Sequence, residues 1–268
     1  MTKTIRSLER GLHVLKALNA TPISSLQELH HQTRIPKATL LRILLTLEQS
    51  SLISRRLADG GYRISWNLAR LGRKRDRYDR VAEVAAPVLD RLCQKVSWPS
   101  DFMVPAGDHL EVRETSRTQS PFMIYYNRDR VGMPVNWLLS AVGRAYLAYC
   151  PEGERQKVIA LLRKSDRPEN WLAKDPAQLD NILSETKKRG YGLRDQTFVG
   201  GAYGTQSPDG LAGIAVPLLD RGRVHGVINI IWPKPARTVE EMVTQCLPSL
   251  QAAAADIVSS LRHHPNII

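Results

Sequence analysis

Cysteine is scarce in this chain of 268 residues, and its three thiols, Cys93, Cys150 and Cys246, lie far apart. Their odd number and wide spacing exclude a disulfide framework and a metal cluster, and such sparse use is typical of a reducing cytoplasm. No apolar run approaches the roughly 20 residues that span a bilayer, and the N-terminus lacks the apolar stretch of an export signal. We therefore expect a cytoplasmic protein that has neither a membrane segment nor a metal site.

Low-complexity tracts and internal repeats are also absent. With 43% hydrophobic and 24% charged residues, the composition excludes a disordered, collagen-like or coiled-coil chain. The length suffices for two modest domains, each with its own core. We therefore read the sequence as that of a globular protein with two domains.

Acidic residues are few at one end of the chain. Residues 1–80 contain 16 Lys and Arg but only 6 Asp and Glu, whereas residues 81–268 contain 22 and 20. Most of the net charge of +12 therefore lies in the first third of the sequence. Such a local excess is expected of a module that binds a polyanion. A solvated basic face that aids solubility, or a patch for a membrane surface, would have the same charge.

Familiar catalytic motifs are missing as well. The sequence has no G-x-S-x-G nucleophile elbow and no G-x-x-x-x-G-K-[ST] phosphate loop. His30 and His31 have no Cys or Asp at ligand spacing, so solvated helix positions explain them better than a metal site does. The glycine-rich stretch 198–205 lacks the lysine of a nucleotide loop and is better explained as a mobile surface loop, with the cover of a pocket as one role for it. We predict a protein that is not an enzyme and that has no catalytic residues, cofactor or metal.

Three helices followed by a hairpin are predicted near the N-terminus. The buried face of the first helix, over residues 5–20, is predicted to contain Leu8, Leu12, Leu15 and Leu18. Ser25 and Glu28 form a capping-box signature for a short second helix, and Pro36 suits the start of a third. Strands at 53–57 and 62–64, joined by a glycine-rich turn, complete the pattern of a winged helix-turn-helix.

The third helix has the strongest functional pattern. Its buried face is formed by leucines, and the polar residues recur on the opposite face. We expect residues of its first turn and exposed face to contact DNA. These are Lys37, Ala38, Thr39, Arg42 and Thr46, with Gln49 on the same face. Arginine can donate two hydrogen bonds to guanine, and recognition helices read bases with their N-terminal residues. Any solvated helix face would show such a stripe, but the short preceding helix and the local charge favour DNA recognition.

The hairpin adds a second basic surface. Arg55, Arg56 and Arg63 flank its turn, where a wing contacts phosphates or the minor groove. Tyr62 lies between them in the sequence, and we expect it in the core rather than at DNA.

Residues 83–268 are predicted to form a second domain, which a linker helix over 73–82 joins to residues 1–72. Strands and helices alternate along it, so we expect an α+β fold with a mainly antiparallel sheet. The helices are predicted at 81–96, 140–150, 152–164, 176–189 and 238–262. The strands are predicted at 101–105, 110–115, 122–126, 213–219 and 224–232.

These ordered motifs resemble the IclR family of bacterial transcriptional regulators over essentially the whole chain. The first domain matches through Ser7–Leu12, Ile35–Thr39, Arg42–Leu44 with Thr46–Leu47, Gly61–Ile64 and Leu68–Gly72. The second domain matches the family's GAF-like effector-binding domain through Ser140–Ala148, Arg189–Gly192 and Ile214–Leu218. Within the family, Val96–Asp101, Val112–Thr115 and Cys150–Glu152 are most similar to activators of phenylpropanoid and other aromatic-acid catabolic genes.

The resemblance implies a regulator that binds double-stranded operator DNA as a homodimer, with tetramers common in the family, and that responds to a small-molecule effector such as an aromatic carboxylate. By position, the effector pocket is expected at Trp137, Leu139, Ser140, Ala141, Gly143, Gly213, Asn229 and Ile231. Other members have small polar residues near the positions that are Gly213, Asn229 and Ile231 in this chain, so the resemblance implies a roomier and less polar pocket. Met133 and Trp232 are further candidates for apolar walls, and Arg113 is a candidate partner for an acidic ligand.

The resemblance also marks one departure from the family pattern. The family ends its recognition helix with a glycine, whereas this chain has Ser50 and Ser51. The helix end is therefore expected to fray or to be capped differently.

Two other functions remain open at this point. One is an enzyme whose N-terminal domain only mediates association, which catalytic turnover of an effector would favour. The other is a DNA-binding structural protein without a ligand, which a pocket too small for a six-membered ring would favour.

Overall fold

The structure is a computed structural model, and it describes residues 4–21, 23–56, 59–65, 67–68, 77–122, 131–200 and 209–263. The chain separates into two compact units, Met1–Arg75 and Asp76–Ile268. Most of the strand predicted at 122–126 lies outside the described residues.

Helices and a short antiparallel hairpin form the first unit. In chain order these are α1 (Arg6–Ala20), α2 (Leu26–Thr33), α3 (Lys37–Gln49), β1 (Ile53–Arg55) and β2 (Tyr62–Ile64). Their shared core contains Val14, Leu18, Leu29, Ile35, Leu40, Leu44, Leu47, Ile53 and Tyr62. The predicted winged helix-turn-helix is confirmed, and Tyr62 is a core residue as expected.

The buried face of α1 differs from the prediction. Val14 and Leu18 are buried, whereas Leu8 and Leu12 are 58% and 50% exposed. Side chains four positions apart lie one above the other on a helix, so the row of Val14 and Leu18 is a different row from that of Leu8 and Leu12. The leucine periodicity therefore identified the helix correctly. Leu18 is buried and Leu15 packs against the core as predicted, but the burial predicted for Leu8 and Leu12 is wrong.

The ends of α2 and α3 show how the sequence fixes the helix-turn-helix. The capping box is present, because the Glu28 N–H donates to Ser25 Oγ at 3.3 Å and the Ser25 N–H donates to Glu28 Oε2 at 2.7 Å. At the end of α3, Ser51 adopts the left-handed φ of 57° that a glycine would adopt more easily. The Leu52 N–H donates to the Leu47 carbonyl at 2.9 Å. The helix therefore ends in an ordinary Schellman pattern, and the expected fraying or different capping is wrong.

The second unit contains, within the described residues, a six-stranded sheet in the order β5-β4-β3-β8-β7-β6. The strands are β3 (Asp101–Ala106), β4 (His109–Thr115), β5 (Pro134–Val135), β6 (Gly192–Leu193), β7 (Leu211–Asp220) and β8 (Arg223–Pro233). The helices are α4 (Arg77–Val96), α5 (Ala141–Tyr149), α6 (Glu152–Arg163), α7 (Pro176–Arg189) and α8 (Val239–Arg262), with a 3₁₀ helix at Pro168–Lys174. Neighbouring strands pair antiparallel throughout the described sheet, which confirms the predicted α+β class.

Helices cover both faces of this sheet, because successive side chains of a strand point to opposite faces. Phe102 and Val104 of β3 pack in the core formed with α4 and α8. Met103, between them, packs in the core on the side of α5 and α7. The sheet is therefore the middle layer, and the cavity described below lies on the α5 side.

Helix α4 is continuous from Arg77 to Val96, so residues 77–82 do not form a separate linker helix. Tyr78, Val81 and Ala82 are buried in the same core as the later turns of the helix. Because the apolar stripe continues unbroken from Tyr78 onward, the second unit begins several residues before the predicted boundary at residue 83. Residues 73–76 lie outside the described part of the chain.

Candidate functional site

The exposed face of α3 is the basic surface that the sequence predicted. Lys37, Ala38, Arg42 and Thr46 are exposed, and Thr39 is half-buried. The guanidinium of Arg42 is exposed and makes no hydrogen bond or ion pair with another described residue, so it is free to reach a ligand. Thr46 is less free, because its hydroxyl donates to the Arg42 carbonyl at 2.9 Å.

The N-terminus of α3 favours an anion. No side chain caps it, and its first turn contains no acidic residue. Unpaired N–H groups and the helix dipole therefore leave positive partial charge beside Lys37, which is the usual arrangement for binding phosphate. This end of the helix is held by the turn before it, where Arg34 has a φ of 57° and the ring Nδ1 of His30 lies 2.7 Å from the Ile35 carbonyl. His30 is thus half-buried against the turn, rather than fully solvated as expected.

The three hairpin arginines differ in their contacts. The Arg55 Nε donates to the Gly60 carbonyl at 3.2 Å, and the Arg63 Nε donates to Ser54 Oγ at 3.2 Å. Arg56 pairs with Asp59 through both Nε and Nη2, and hydrogen bonding to Arg56 is the main cause that lowers the pKa of Asp59 to about 2. Arg63 therefore presents an uncompensated charge, whereas the charge of Arg56 is neutralised by its neighbour.

A second candidate site lies in the other unit, at the N-terminus of α5. Ser140 caps this helix, since the Gly143 N–H donates to Ser140 Oγ at 3.0 Å. Asn136 supports the cap by accepting hydrogen bonds from the N–H groups of Leu138 and Leu139 at 2.8 and 2.7 Å. Ser140, Ala141 and Val142 then form one wall of a cavity above β7 and β8.

Five of the eight predicted effector residues line this cavity: Ser140, Ala141, Gly213, Asn229 and Ile231. Apolar side chains of Met103, Val135, Phe198 and Leu211 complete much of the wall. Phe198 and Gly200 belong to the glycine-rich stretch 198–205, which the sequence predicts as a surface loop with the cover of a pocket as one role for it. Residues 201–205 of that stretch are outside the described residues.

The other three predicted residues are structural. Trp137 is fully buried in the core, where its Nε1 donates to the Gly107 carbonyl at 3.2 Å. Leu139 is buried, and its carbonyl accepts from the Asp195 N–H at 2.8 Å. A Cβ on Gly143 would lie 1.9 Å from the Trp137 carbonyl oxygen, so the glycine permits close packing rather than ligand contact.

The further candidates are also corrected. Trp232 lies in the core on the opposite face of the sheet, and Met133 does not line the cavity. Arg113 is held outside the cavity by Asp79 and Glu111, at 3.1 and 2.9 Å. The strand alternation decides these positions, and it cannot be read from residue type alone.

Two buried ion pairs on the cavity wall were not predicted. The Arg117 Nε and Nη2 donate to the carboxylate of Asp101 at 3.0 and 2.8 Å. The Arg194 Nη2 donates to Asp209 Oδ1 at 2.6 Å. Because these residues are far apart in the sequence and are ordinary surface types, no local pattern could have identified them.

The cavity is small, and charged groups lie on its wall. Its volume is about 50 Å³, whereas a cavity that holds benzene measures about 150 Å³. A Cβ on Gly213 would lie 3.2 Å from Ile231 Cγ2, so the isoleucine already fills the space beside the glycine. Four ionisable side chains, Asp101, Arg117, Arg194 and Asp209, also lie on the wall, and the comparison with the pockets of other family members stays a prediction.

The described residues offer little for catalysis. Burial raises the pKa of Cys93, Cys150 and Cys246, that of Cys150 to about 12, so none of these thiols is a ready nucleophile. Within the same residues no cluster of three or more His, Cys, Asp or Glu side chains could hold a metal ion. No helix among them is long and apolar enough to cross a membrane.

Comparison with known proteins decides the family. The IclR helix-turn-helix domain model matches residues 7–56, and the model of the C-terminal region of the bacterial transcriptional regulator IclR matches residues 77–259. The chain belongs to the IclR family. IclR-family proteins are transcriptional regulators rather than enzymes, and the helix-turn-helix of this member binds DNA.

Relatives of this IclR-family chain match it over nearly its whole length. The probable transcriptional regulator SauR of Cupriavidus necator is 25% identical, and the match covers 94% of this chain and 95% of the relative. The Pca regulon regulatory protein of Pseudomonas putida is 24% identical, and the match covers 95% of this chain and 84% of the relative. The fold also matches the crystal structure of an IclR homolog complexed with 4-hydroxybenzoate from Microbacterium hydrocarbonoxydans, with a TM-score of 0.54. The two sequences are 23% identical, and the match covers 96% of this chain and 99% of that chain. That similarity shows the shared fold.

Proposed function

We propose that this IclR-family regulator controls catabolic genes for a small aromatic carboxylic acid, which it binds as effector in the cavity at the N-terminus of α5. The observation that carries the DNA part is the free Arg42 on an exposed helix whose N-terminus is uncapped. The observation that carries the effector part is a cavity lined by both apolar side chains and arginine. Such a mixture suits a ligand with a ring and an acid group.

The names of the relatives support the aromatic class. One relative regulates a Pca regulon, and one structure with the same fold holds 4-hydroxybenzoate. The resemblance of Val96–Asp101 and Val112–Thr115 to regulators of aromatic-acid catabolism points the same way. These observations favour an aromatic acid over an aliphatic acid.

On the DNA, we propose that Lys37, Ala38, Thr39, Arg42 and Thr46 contact the major groove. Arg55 and Arg63 of the hairpin contact the backbone, and Arg56, whose charge Asp59 neutralises, faces the backbone without a phosphate contact. One such helix covers a half-site only, so the proposed assembly is a homodimer, with a tetramer as the larger form. An effector shifts DNA affinity only by as much as its own affinity differs between the two arrangements of the dimer.

The cavity volume favours a second candidate, a DNA-binding protein without a ligand. A ring needs more than the volume of about 50 Å³ in this structure, so an aromatic effector must displace side chains such as Ile231 or Phe198. The two candidates predict different responses to a ligand, which makes them separable.

The deciding experiment has two parts. First, the promoter fragments that the protein binds are isolated, and the genes next to them are identified. Mobility shifts on that fragment are then repeated with benzoate, 4-hydroxybenzoate, cinnamate and pyruvate. A change in operator affinity with an aromatic acid supports the proposal, and an unchanged affinity with all four acids supports the ligand-free candidate.

A further inference from the structure

Two guanidinium groups on the cavity wall have unused hydrogen-bond donors. Arg117 lines the cavity with a side chain that is only 6% exposed, and its Nη1 is buried without a partner among the described residues. Arg194 lines the same cavity with a side chain that is 9% exposed, and its Nε is likewise buried and unpartnered. Buried polar atoms without partners are rare in folded proteins and call for an explanation.

The ion pairs leave these donors available by geometry. A guanidinium has five N–H groups in a planar fork, and Asp101 uses only the Nε and Nη2 side of Arg117. In Arg194 the Nη2 donates to Asp209 and to the Phe198 carbonyl, which leaves the Nε side. The charge of each arginine is therefore already held in place before any ligand arrives.

The missing partner has a definite chemical character. The unpartnered groups of both arginines are donors, so a ligand that satisfies them must supply acceptor oxygens. Two donors on different side chains match the two oxygens of a carboxylate, and charge-assisted hydrogen bonds to guanidinium are the strong ones. The N-terminus of α5, at Ala141 and Val142, lies on the same wall and adds positive partial charge.

We propose that Arg117 and Arg194 bind the carboxylate of the effector, and that this chain therefore selects an anionic ligand over its neutral analogue. The apolar side chains of Met103, Val135 and Ile231 are left for the rest of the ligand. This inference rests on the proposed effector function and assigns the recognition of charge to two residues that the family positions did not indicate.

The arginine at 113 provides the matched control. It is also close in sequence to the site, but its guanidinium contacts Asp79 and Glu111 outside the cavity. Arg113→Gln removes one positive charge from the same domain, as Arg117→Gln and Arg194→Gln do. Only the latter two remove a proposed ligand contact.

The test measures binding of acid and amide pairs to the full chain by titration calorimetry, with benzoate against benzamide and cinnamate against cinnamamide. In the unsubstituted protein we expect each acid to bind about tenfold or more tightly than its amide. Arg194→Gln should remove this preference, by weakening the acid and leaving the amide unchanged, whereas Arg113→Gln should keep it. Each substitution alone leaves a carboxylate on the wall without its guanidinium, Asp101 in Arg117→Gln and Asp209 in Arg194→Gln. Arg117→Gln is therefore also made together with Asp101→Asn, and Arg194→Gln together with Asp209→Asn.

Each outcome separates this inference from the proposed function. If the protein binds acid and amide equally, or if the Arg194→Gln variant still binds the acid more tightly than the amide, the inference is overturned. The proposal of an aromatic effector is not affected by that result. Arginine-dependent binding of pyruvate alone would support the inference and overturn the aromatic part of the proposed function. If no carboxylate binds, the inference is overturned, and the operator mobility shift still tests DNA recognition separately.

Discussion

Arg117 holds Asp101 at the wall of the cavity through two hydrogen bonds of 3.0 and 2.8 Å. Asp101 opens β3, and its own N–H donates to Asn229 Oδ1 of β8 at 2.6 Å. The ion pair therefore joins the cavity to the centre of the sheet, a few residues after the end of α4. Removing Arg117 alone would leave the buried carboxylate of Asp101 without its guanidinium, which is usually more costly than removing both members of the ion pair.

Arg42 is the residue that we expect to read a base. Arg42→Ala should weaken binding to the operator by about 1–3 kcal/mol and relax the base preference at one position of each half-site, because a bidentate contact to guanine is lost. Fluorescence titration with the operator and single-base variants measures both effects. Lys16→Ala, on the exposed side of α1, removes the same charge and should keep the base preference. An Arg42→Ala protein with unchanged selectivity would contradict the assignment of α3 as the recognition helix.

The effect of each hairpin arginine on DNA binding should depend on whether an acidic side chain already neutralises its charge. Arg63→Ala should weaken binding to all DNA sequences alike and reduce the salt slope by about one, since one phosphate contact is lost. Arg56→Ala with Asp59→Ala removes a pair that is neutral overall, so its salt slope should stay unchanged. Binding measured over a series of salt concentrations gives both slopes. A lowered slope in the double variant would show that Arg56 contacts phosphate in spite of its pair.

The second unit should fold alone only when α4 is complete. A fragment of residues 77–268 keeps the buried Tyr78, Val81 and Ala82, whereas a fragment of residues 83–268 loses them. The lost burial should lower the free energy of unfolding by roughly 3–5 kcal/mol, which urea denaturation measures. Neither fragment should shift the operator, because both lack the helix-turn-helix. Equal stability of the two fragments would contradict the assignment of residues 77–82 to this core.

Gly143 is predicted to be indispensable for packing. Gly143→Ala would place its Cβ 1.9 Å from the Trp137 carbonyl oxygen, so backbone must move. We expect a loss of about 3 kcal/mol or more in the free energy of unfolding. At Gly153, near the start of α6, a Cβ meets nothing within 4 Å. Gly153→Ala should be neutral or stabilise by up to about 1 kcal/mol, and a similar loss in both variants would show that close packing is not the cause.

Ile231 should control the size of the cavity. Ile231→Ala removes the side chain that fills the space beside Gly213, so the protein should bind cinnamate more tightly while losing about 2–5 kcal/mol of stability. Gly213→Ala should make the cavity smaller, because the added Cβ would lie 3.2 Å from Ile231 Cγ2. It should weaken the binding of aromatic acids and spare operator binding, since the recognition helix lies in the other unit. Titration calorimetry with thermal unfolding measures both effects, and unchanged affinities in both variants would place the ring elsewhere.

The helix-turn-helix could be read from local sequence signals. The Ser25–Glu28 capping box, the leucine spacing of α3 and the polar face with Arg42 each depend on residues a few positions apart. Local hydrogen bonds and helix periodicity act over that same range, so these helices and the exposed polar face of α3 could be predicted from the sequence. The prediction for α1 was wrong at Leu8 and Leu12 because apolar residues occupy more than one row of that helix.

The cavity depended on contacts that no local pattern contains. Arg117 follows β4, and Arg194 follows β6, yet strand pairing and the return of the chain bring both to one wall with Asp101 and Asp209. In the sequence these four residues look like the charged surface residues found anywhere along the chain. Burial makes them different, because it removes water from the guanidinium groups and leaves donors that only a partner can satisfy. That burial is a property of the folded sheet and its helices together, so only the tertiary structure decided that these four charged residues line the cavity.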